Sequence, residues 1–235
     1  MVNSPELRAE GLPANRRAVV FDFDGTLFDS LPLVLRALKH ALAPYVDEPP
    51  TMAIFARLGG PPASFMPQLV GHPRQVPAAL RRLDAYHREH SHLLRPFDGA
   101  RGMLEVLHAR GVPLAIWTGR DRESADWLLH ENRLADLFNV VVCGDDLPTH
   151  KPDPQGLREI LTRLGVAPAE ALFIGDADVD VLAGHACSVS TVLIRQAREV
   201  PPEVRAKAWR EVVSPAESYE LALAWAEDAE PKRQL

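Results

Sequence analysis

The chain has 235 residues, of which 46% are hydrophobic and 25% are charged, values typical of a globular protein and unlike those of disordered, collagen-like or coiled-coil chains. A net charge of -6 argues against coating nucleic acid, two cysteines are too few for a disulfide scaffold, and no apolar run reaches the roughly 18 residues that span a bilayer. We therefore expect a soluble, cytoplasmic protein with no nucleic-acid or membrane partner, and the sequence leaves its oligomeric state open.

Taken in chain order, five short apolar segments predict β-strands. They are bounded by Gly, Asp or Thr and are apolar almost throughout, which is typical of strands in a parallel sheet covered on both faces. The predicted strands are 18–22, 113–117, 140–143, 171–174 and 191–194. Helical patterns at 101–110, 122–137, 154–164 and about 177–186 separate most of them. This alternation predicts an α/β fold with a Rossmann-like, doubly wound parallel sheet.

One interval interrupts the alternation, because the residues between the first strand and the helix at 101–110 contain no convincing strand. Ser30 is placed to cap a helix with an apolar face, and a second helix is predicted near 78–94. The loop Gly-Gly-Pro-Pro at 59–62 lies between them.

This pattern predicts three parts of the chain. A flexible N-terminal tail at 1–15 precedes a catalytic core made of 16–28 and 99–230. A small α-helical cap domain at 29–98 is inserted into that core, and its loop at 59–62 is the candidate substrate-facing segment.

Acidic side chains follow the first and fourth predicted strands. Asp22 and Asp24 follow the first, and Asp176 and Asp180 follow the fourth. In an open α/β sheet, ligands bind beyond the carboxyl ends of the strands, so we expect these carboxylates to converge. Carboxylates that lie close together repel one another unless a cation offsets their charge, and Mg²⁺ prefers oxygen ligands. One aspartate could attack a substrate while a neighbouring aspartate moves a proton.

Groups that could bind phosphate follow the other strands. Thr118 offers a hydroxyl, and the Gly119 amide lies at the start of a helix, where anions bind readily. Lys151 precedes Pro152, which stiffens the loop that would present its ammonium group. Gly25 would allow a sharp turn after Asp24.

Together these segments resemble a known group of enzymes. Asp-Phe-Asp-Gly-Thr at 22–26, Thr118, Lys151 and Gly-Asp-x-x-x-Asp at 175–180 are similar to the four ordered motifs of the haloacid dehalogenase superfamily. The resemblance covers 18–28 and 100–195. Within the superfamily, the stretches at 144–154, 164–168 and 173–176 are similar to the phosphoglycolate phosphatase-like branch.

The resemblance implies roles for the candidate residues. Asp22 would be the nucleophile that forms an aspartyl-phosphate, and Asp24 would be the general acid and then the general base. The transferring phosphoryl group would be bound by Thr118, Lys151 and the backbones of Gly25 and Gly119. Gly119 is a departure, since many relatives carry Asn there.

The resemblance also implies a Mg²⁺ site. The metal would be held by the Asp22 side chain, the Asp24 backbone carbonyl and Asp176, with Asp180 supporting it through water or Lys151. Asp178 is expected to be a solvent-facing or helix-start carboxylate without a catalytic role.

The implied function is a Mg²⁺-dependent phosphatase that hydrolyses a phosphate monoester of a small, phosphoglycolate-like metabolite. Asp24 argues against a dehalogenase, because the dehalogenases of the superfamily lack an acid there. Two alternatives stay open: a hexose-phosphate phosphomutase with the same core residues, and a protein that binds a phosphorylated ligand without turnover.

Several other side chains have ordinary structural interpretations. The cap histidines are expected on a solvated helix face; they are His87, His90 and His92. Trp127 is expected in the core, and Arg120 either contacts phosphate or is an exposed arginine at a helix start. Arg57 and Arg95 either recognise an anionic substrate tail or form surface salt bridges.

Overall fold

Six parallel strands form one sheet in the computed structural model, which describes residues 17–48, 51, 54, 58 and 60–227. The predicted tail at 1–15 lies outside these residues. The strands are β1 (Ala18–Phe21), β2 (Leu114–Trp117), β3 (Val140–Val142), β4 (Ala171–Gly175), β5 (Ser190–Ile194) and β6 (Arg210–Val212). Their order in the sheet is β3-β2-β1-β4-β5-β6, which confirms the predicted doubly wound α/β fold.

Both faces of the central strand β1 are buried. Val19 and Phe21 point into one apolar layer, whereas Ala18 and Val20 point into the other, because successive side chains of a strand alternate between faces. All four side chains are fully buried. This explains why the strand is an unbroken apolar run in the sequence.

Helices cover both faces of this sheet. Those described are α1 (Leu31–Leu42), α2 (Pro62–Leu69), α3 (Val76–His90), α4 (Ala100–Ala109), α5 (Arg122–Glu131), α6 (Gln155–Leu164), α7 (Asp178–Ala186), α8 (Pro202–Arg205) and α9 (Pro215–Glu227). Residues of α4, α5 and α9 pack on the Val19 face, and residues of α6 and α7 pack on the opposite face. No helix within the described ranges has the length and apolar character needed to cross a membrane.

Helices α1, α2 and α3 have an apolar core of their own. Val34 and Leu38 of α1, Phe65 and Met66 of α2 and Leu83 of α3 belong to one cluster, distinct from the two layers on the sheet. We call α1–α3 the inserted helices, because the chain forms them between β1 and α4. Their separate core supports the predicted cap at 29–98, whose boundaries stay a prediction.

The C-terminal part of the sheet differs from expectation. The sequence predicts five strands, but β6 adds a sixth at the edge next to β5. It has only three residues, and two of them are the charged Arg210 and Glu211. A short edge strand needs no apolar run, so the pattern used for the other strands could not find it.

Three predicted helix ends also differ. Helix α5 ends at Glu131 rather than at residue 137, because Arg133 takes a left-handed conformation with φ 51° and a separate 3₁₀ turn follows. Helix α3 spans 76–90 rather than 78–94. Ser30 does precede α1, but its hydroxyl donates to the Phe28 carbonyl instead of capping the helix.

Two helical glycines allow a test of how tightly α7 packs on the sheet. A Cβ atom at Gly184 of α7 would collide with the Thr191 side chain of β5, whereas a Cβ at Gly102 of α4 would meet no heavy atom within 4 Å. We expect Gly184→Ala to lower the free energy of unfolding by about 1–3 kcal/mol through overpacking. Gly102→Ala should raise it by about 0.5–1 kcal/mol, because alanine favours the helix.

Urea unfolding of the two variants beside the wild type measures both changes. Equal effects of the two substitutions would contradict the close approach of α7 to β5.

Candidate active site

The candidate site lies where the strand order of the sheet reverses. Strands β1 and β4 are neighbours in space, although β2 and β3 come between them in the chain. Asp22 follows β1 directly, and Asp176 follows β4 directly. Crevices of this kind, beyond the carboxyl ends of the strands, are where open α/β sheets bind ligands.

A buried lysine connects the acidic residues of this crevice. Lys151 Nζ lies 2.6 Å from Asp22 Oδ1 and 2.7 Å from Asp180 Oδ1. The other oxygen of Asp180 accepts a hydrogen bond of 3.0 Å from the Ala177 amide. The loop after β3 presents Lys151, which precedes a cis peptide bond to Pro152. Residues predicted from three distant motifs are therefore in contact.

Burial and mutual repulsion perturb the charges of this cluster. Burial raises the pKa of Asp22 to about 7, with Lys151 opposing the rise and Asp180 adding to it. The pKa of Asp176 is also well above its ordinary value, because it is buried and faces Asp22 and Asp180. Burial alone would lower the pKa of Lys151, but the carboxylates of Asp180 and Asp22 more than offset this and raise it.

The same carboxylates could hold a divalent cation. One oxygen from each of Asp22, Asp176 and Asp180 lies within 4.8 Å of the others, and all three residues are buried. Three acids face one lysine, so the cluster has an excess of negative charge and offers the oxygen ligands that hard cations prefer. Asp180 is engaged by Lys151 and the Ala177 amide, which suits the supporting role predicted for it.

Gly25 shapes the turn after the first motif. Its φ of 75° lies in the left-handed region, which favours glycine, and a Cβ there would lie 2.7 Å from Asp176 Cγ and 2.7 Å from Leu31 Cδ1. Its amide donates to the Phe28 carbonyl at 2.9 Å. The amide that was expected to contact phosphate is therefore already used within the turn, and Gly25 acts here by letting the chain pass close to Asp176.

Arg120 holds the side chain of Asp24. The guanidinium donates from Nε to Asp24 Oδ2 at 2.8 Å and from Nη2 to Oδ1 at 2.5 Å, and both side chains are largely buried. The sequence suggested that Arg120 contacts phosphate or is exposed at a helix start, and neither interpretation includes this pair with Asp24. Two parallel bonds fix the carboxylate more firmly than one, so Arg120 orients Asp24.

Potential phosphate-binding groups surround Asp22. Thr118 is buried, and its hydroxyl oxygen accepts a hydrogen bond of 3.1 Å from the Arg120 amide, which leaves the hydroxyl proton available. Within the described part of the chain, the amides of Phe23, Asp24 and Gly119 have no acceptor. Such unpaired donors suit an anion. The Phe23 and Asp24 amides were not among the phosphate-binding groups predicted from the sequence.

Two glycines allow the loop before α2 to contact the loops that follow β2 and β3. A Cβ at Gly119 would lie 2.9 Å from the Gly60 carbonyl oxygen, and a Cβ at Gly60 would lie 2.5 Å from His150 Cγ. Real Cβ atoms avoid such distances, so the Gly60 backbone lies directly against the Gly119 backbone and against the His150 side chain. This accounts for glycine at 119 and places the predicted loop against the site; Gly59 lies outside the described residues.

A chamber of about 670 Å³ lies between the inserted helices and the sheet. The predicted site residues Asp22, Asp24, Thr118, Lys151 and Asp176 all line it. Further lining residues are Gly119 and Asp180 from the motifs, Gly60 and Pro62 from the loop, and the apolar Val34, Leu38, Phe65, Leu83 and Leu128.

Two expectations about the chamber are wrong. His87 is not on a solvated face but lines the chamber, and its Nε2 is sealed from solvent with no partner among the described residues. Burial, together with the nearby charge of Arg120, lowers the pKa of His87. Trp127 is not in the core either, because it is 43% exposed and lines the chamber. Arg95 does not line it, and Arg57 lies outside the described residues.

Arg198 is a supporting residue that the sequence did not reveal. It donates to the Asp176 carbonyl at 2.7 Å and pairs with Asp178 at 2.6 Å. Asp178 is the first residue of α7, as one interpretation held, but it is buried rather than solvent-facing. Arg198 therefore fixes the backbone that presents Asp176.

The chain matches the family model described as haloacid dehalogenase-like hydrolase over residues 19–194. The chain belongs to this family. The membership confirms the resemblance drawn from the four motifs, and the chain is thus a hydrolase of the haloacid dehalogenase type.

The chain is also similar to individual enzymes whose names describe their activity. Over 201 residues it is 32% identical to phosphoglycolate phosphatase of Pseudomonas putida, covering 75% of this chain and 68% of the relative. Over 181 residues it is 29% identical to pyrophosphatase PpaX of Halalkalibacterium halodurans, covering 75% of this chain and 82% of the relative.

A solved structure shows the same fold. A predicted phosphoglycolate phosphatase from Haemophilus somnus superposes with a TM-score of 0.72 at 20% identity, covering 89% of this chain and 99% of that one. Because the match covers most of both chains, it includes the inserted helices as well as the sheet.

The crowded acids give a pH-dependent prediction for the metal-free protein. We expect Asp176→Asn to be more stable than the wild type at pH 7, because the folded state raises the pKa of Asp176 and penalises its ionised form. Below about pH 4 the Asp176 carboxyl group is protonated in both the folded and the unfolded protein, and folding has no penalty from its charge. As the pH rises toward its pKa in the folded state, the unfolded protein ionises first, and the wild type loses stability. The variant's advantage in the free energy of unfolding should therefore grow from pH 4 to pH 8.

Chemical denaturation in EDTA across this pH range measures the difference, with Asp98→Asn as a control because Asp98 is exposed and lies outside the chamber. Added Mg²⁺ should stabilise the wild type and the control more than Asp176→Asn. An advantage that shrinks with rising pH would contradict the repulsion described here.

Proposed function

We propose that the protein is a Mg²⁺-dependent phosphatase that hydrolyses the phosphate monoester of a small metabolite through an aspartyl-phosphate on Asp22. The observation that carries the proposal is the buried contact of Asp22 with Lys151 beside Asp176, with Asp24 held two residues away. The names of the relatives support the reaction class and make phosphoglycolate the reference substrate.

In the first step, a carboxylate oxygen of Asp22 attacks phosphorus. As the new O–P bond forms, the bond from phosphorus to the alcohol oxygen breaks, and Asp24 gives a proton to the departing oxygen. Lys151, Thr118 and the free amides around Asp22 offset the charge on the phosphoryl oxygens. Positioning and charge neutralisation of this kind account for most of the catalysis in phosphoryl transfer.

In the second step, a water molecule attacks the phosphorus of the acyl phosphate. Asp24, now ionised, accepts the proton of that water, and the bond between the Asp22 oxygen and phosphorus breaks. Inorganic phosphate leaves, and both aspartates return to their starting protonation states. Arg120 keeps Asp24 oriented toward the reacting centre between the two steps.

The residues that would hold Mg²⁺ are Asp22, Asp176 and the Asp24 backbone carbonyl, with Asp180 in support. When bound, Mg²⁺ neutralises negative charge on the phosphoryl oxygens. The net negative charge of the buried cluster supports this assignment.

We also propose that the inserted helices act as the predicted cap, covering the chamber during the reaction and limiting the entry of water. The expected location in the cytoplasm stays a prediction. A phosphomutase would use the same core residues, and it would isomerise a hexose phosphate without net release of phosphate.

The nucleophile assignment predicts a large loss of activity in Asp22→Asn. The amide cannot form the acyl phosphate, so hydrolysis of an aryl phosphate with Mg²⁺ should fall by at least about a thousandfold. Phosphate release measured with and without Mg²⁺ checks both the residue and the metal.

Asp98→Asn is the matched control for this test, because it removes an exposed carboxylate outside the chamber and should retain the wild-type rate. Equal rates for Asp22→Asn and the wild type would rule out the nucleophile. Isomerisation of a hexose phosphate without phosphate release would favour the mutase instead.

A further inference from the structure

The chamber is larger than a two-carbon leaving group needs. Its volume of about 670 Å³ lies within the range of pockets that enclose drug-sized ligands. This space does not come from separation of the inserted helices from the rest of the molecule, because Gly60 already contacts Gly119 and His150 in the loops after β2 and β3. A phosphoryl group at Asp22 would fill one end and leave the rest for the alcohol.

The wall opposite Asp22 is apolar. Helix α1 contributes Val34 and Leu38, α2 contributes Phe65, and α3 contributes Leu83. His87, one turn beyond Leu83 on α3, adds no charge to this wall, because its pKa is lowered by burial. An apolar wall favours an apolar ligand, because the ligand removes that surface from water.

The cationic side chains that line the chamber are already paired, as far as the described residues show. Lys151 contacts Asp22 and Asp180, Arg120 contacts Asp24, and Arg88 lies 3.8 Å from Asp84 at the exposed rim. The rim also carries the acidic Asp121 and Glu123. Among the described residues, which do not include Arg57, a second anionic group on the substrate would meet only cations that already face a carboxylate.

Trp127 offers a flat apolar surface to a ligand. It is one of six large apolar side chains that are exposed among the described residues, and of these it alone lines the chamber. Tryptophan is usually well buried, so an exposed ring that lines the chamber suits stacking with a substrate.

We infer that the preferred substrates are phosphate monoesters with an uncharged, largely apolar leaving group, and that Trp127 determines this specificity by packing against an aromatic or similarly flat body. The inference rests on the proposed phosphatase function and names its substrate class. It sets the chain apart from an enzyme whose leaving group is a small carboxylate such as glycolate.

Three esters of primary alcohols separate the contributions of charge and apolar surface. Ethyl phosphate and phosphoglycolate are similar in size but differ in charge, and 2-phenylethyl phosphate adds a ring to the former. We expect kcat/KM for the phenylethyl ester to exceed that for ethyl phosphate by at least about tenfold. Phosphoglycolate should be no better than ethyl phosphate.

The readout for Trp127 is the ratio of kcat/KM for 2-phenylethyl phosphate to that for ethyl phosphate. Trp127→Ala should reduce this ratio by at least about threefold, and Trp127→Phe should restore most of it. Trp209→Ala is the matched control, since Trp209 is also exposed but lies outside the chamber. A misfolded variant would lower both rates together and leave the ratio unchanged, so circular dichroism accompanies each assay.

A tenfold preference for phosphoglycolate over the phenylethyl ester, or a ratio that Trp127→Ala does not change in a folded variant, would overturn the inference while leaving the phosphatase intact. If the Mg²⁺-loaded wild type released no phosphate from any of the three esters, the proposed function would fail, and the inference with it.

Discussion

The ammonium group of Lys151, buried between Asp22 and Asp180, determines the geometry of the reaction centre. A buried charge is unfavourable alone; here the lysine stabilises both carboxylates, which repel each other, and they stabilise the lysine. Because Lys151 and Asp22 lie in loops after β3 and β1 and Asp180 lies in the first turn of α7, one interaction joins segments that are far apart in the chain. The lysine cannot neutralise Asp176 as well, so negative charge remains, and this excess suits the site to a divalent cation.

The chamber has two chemically different ends. The sheet supplies the charged end, where acids, a lysine and unpaired amides surround Asp22. The inserted helices and α5 supply the other end, which is apolar and includes Leu83 and Trp127. The charged groups and the apolar wall thus come from separate parts of the chain, so a change in the inserted helices can alter the apolar end and leave the charged end intact.

The residues of the charged end could be predicted from the sequence, because they follow strands that are recognisable as apolar runs. An apolar run that stops at Asp22 or Asp176 indicates both the strand and the rim where its last side chain lies. The Arg120–Asp24 pair and the exposure of Trp127 depend on how distant segments pack, which spacing does not encode. The same limit applies to Arg198, which lies beyond the last motif and reaches back to the Asp176 backbone.

The contact between Gly60 and Gly119 has a consequence for how such enzymes diverge. The two backbones meet there directly, so neither position has room for a side chain while the loop keeps its present path. A side chain gained at 119 would push the facing loop away, and only a change in the path of that loop could accommodate it. We therefore expect residues 60 and 119 to have changed together during evolution. The sizes of the two residues would determine the distance between the inserted helices and the sheet.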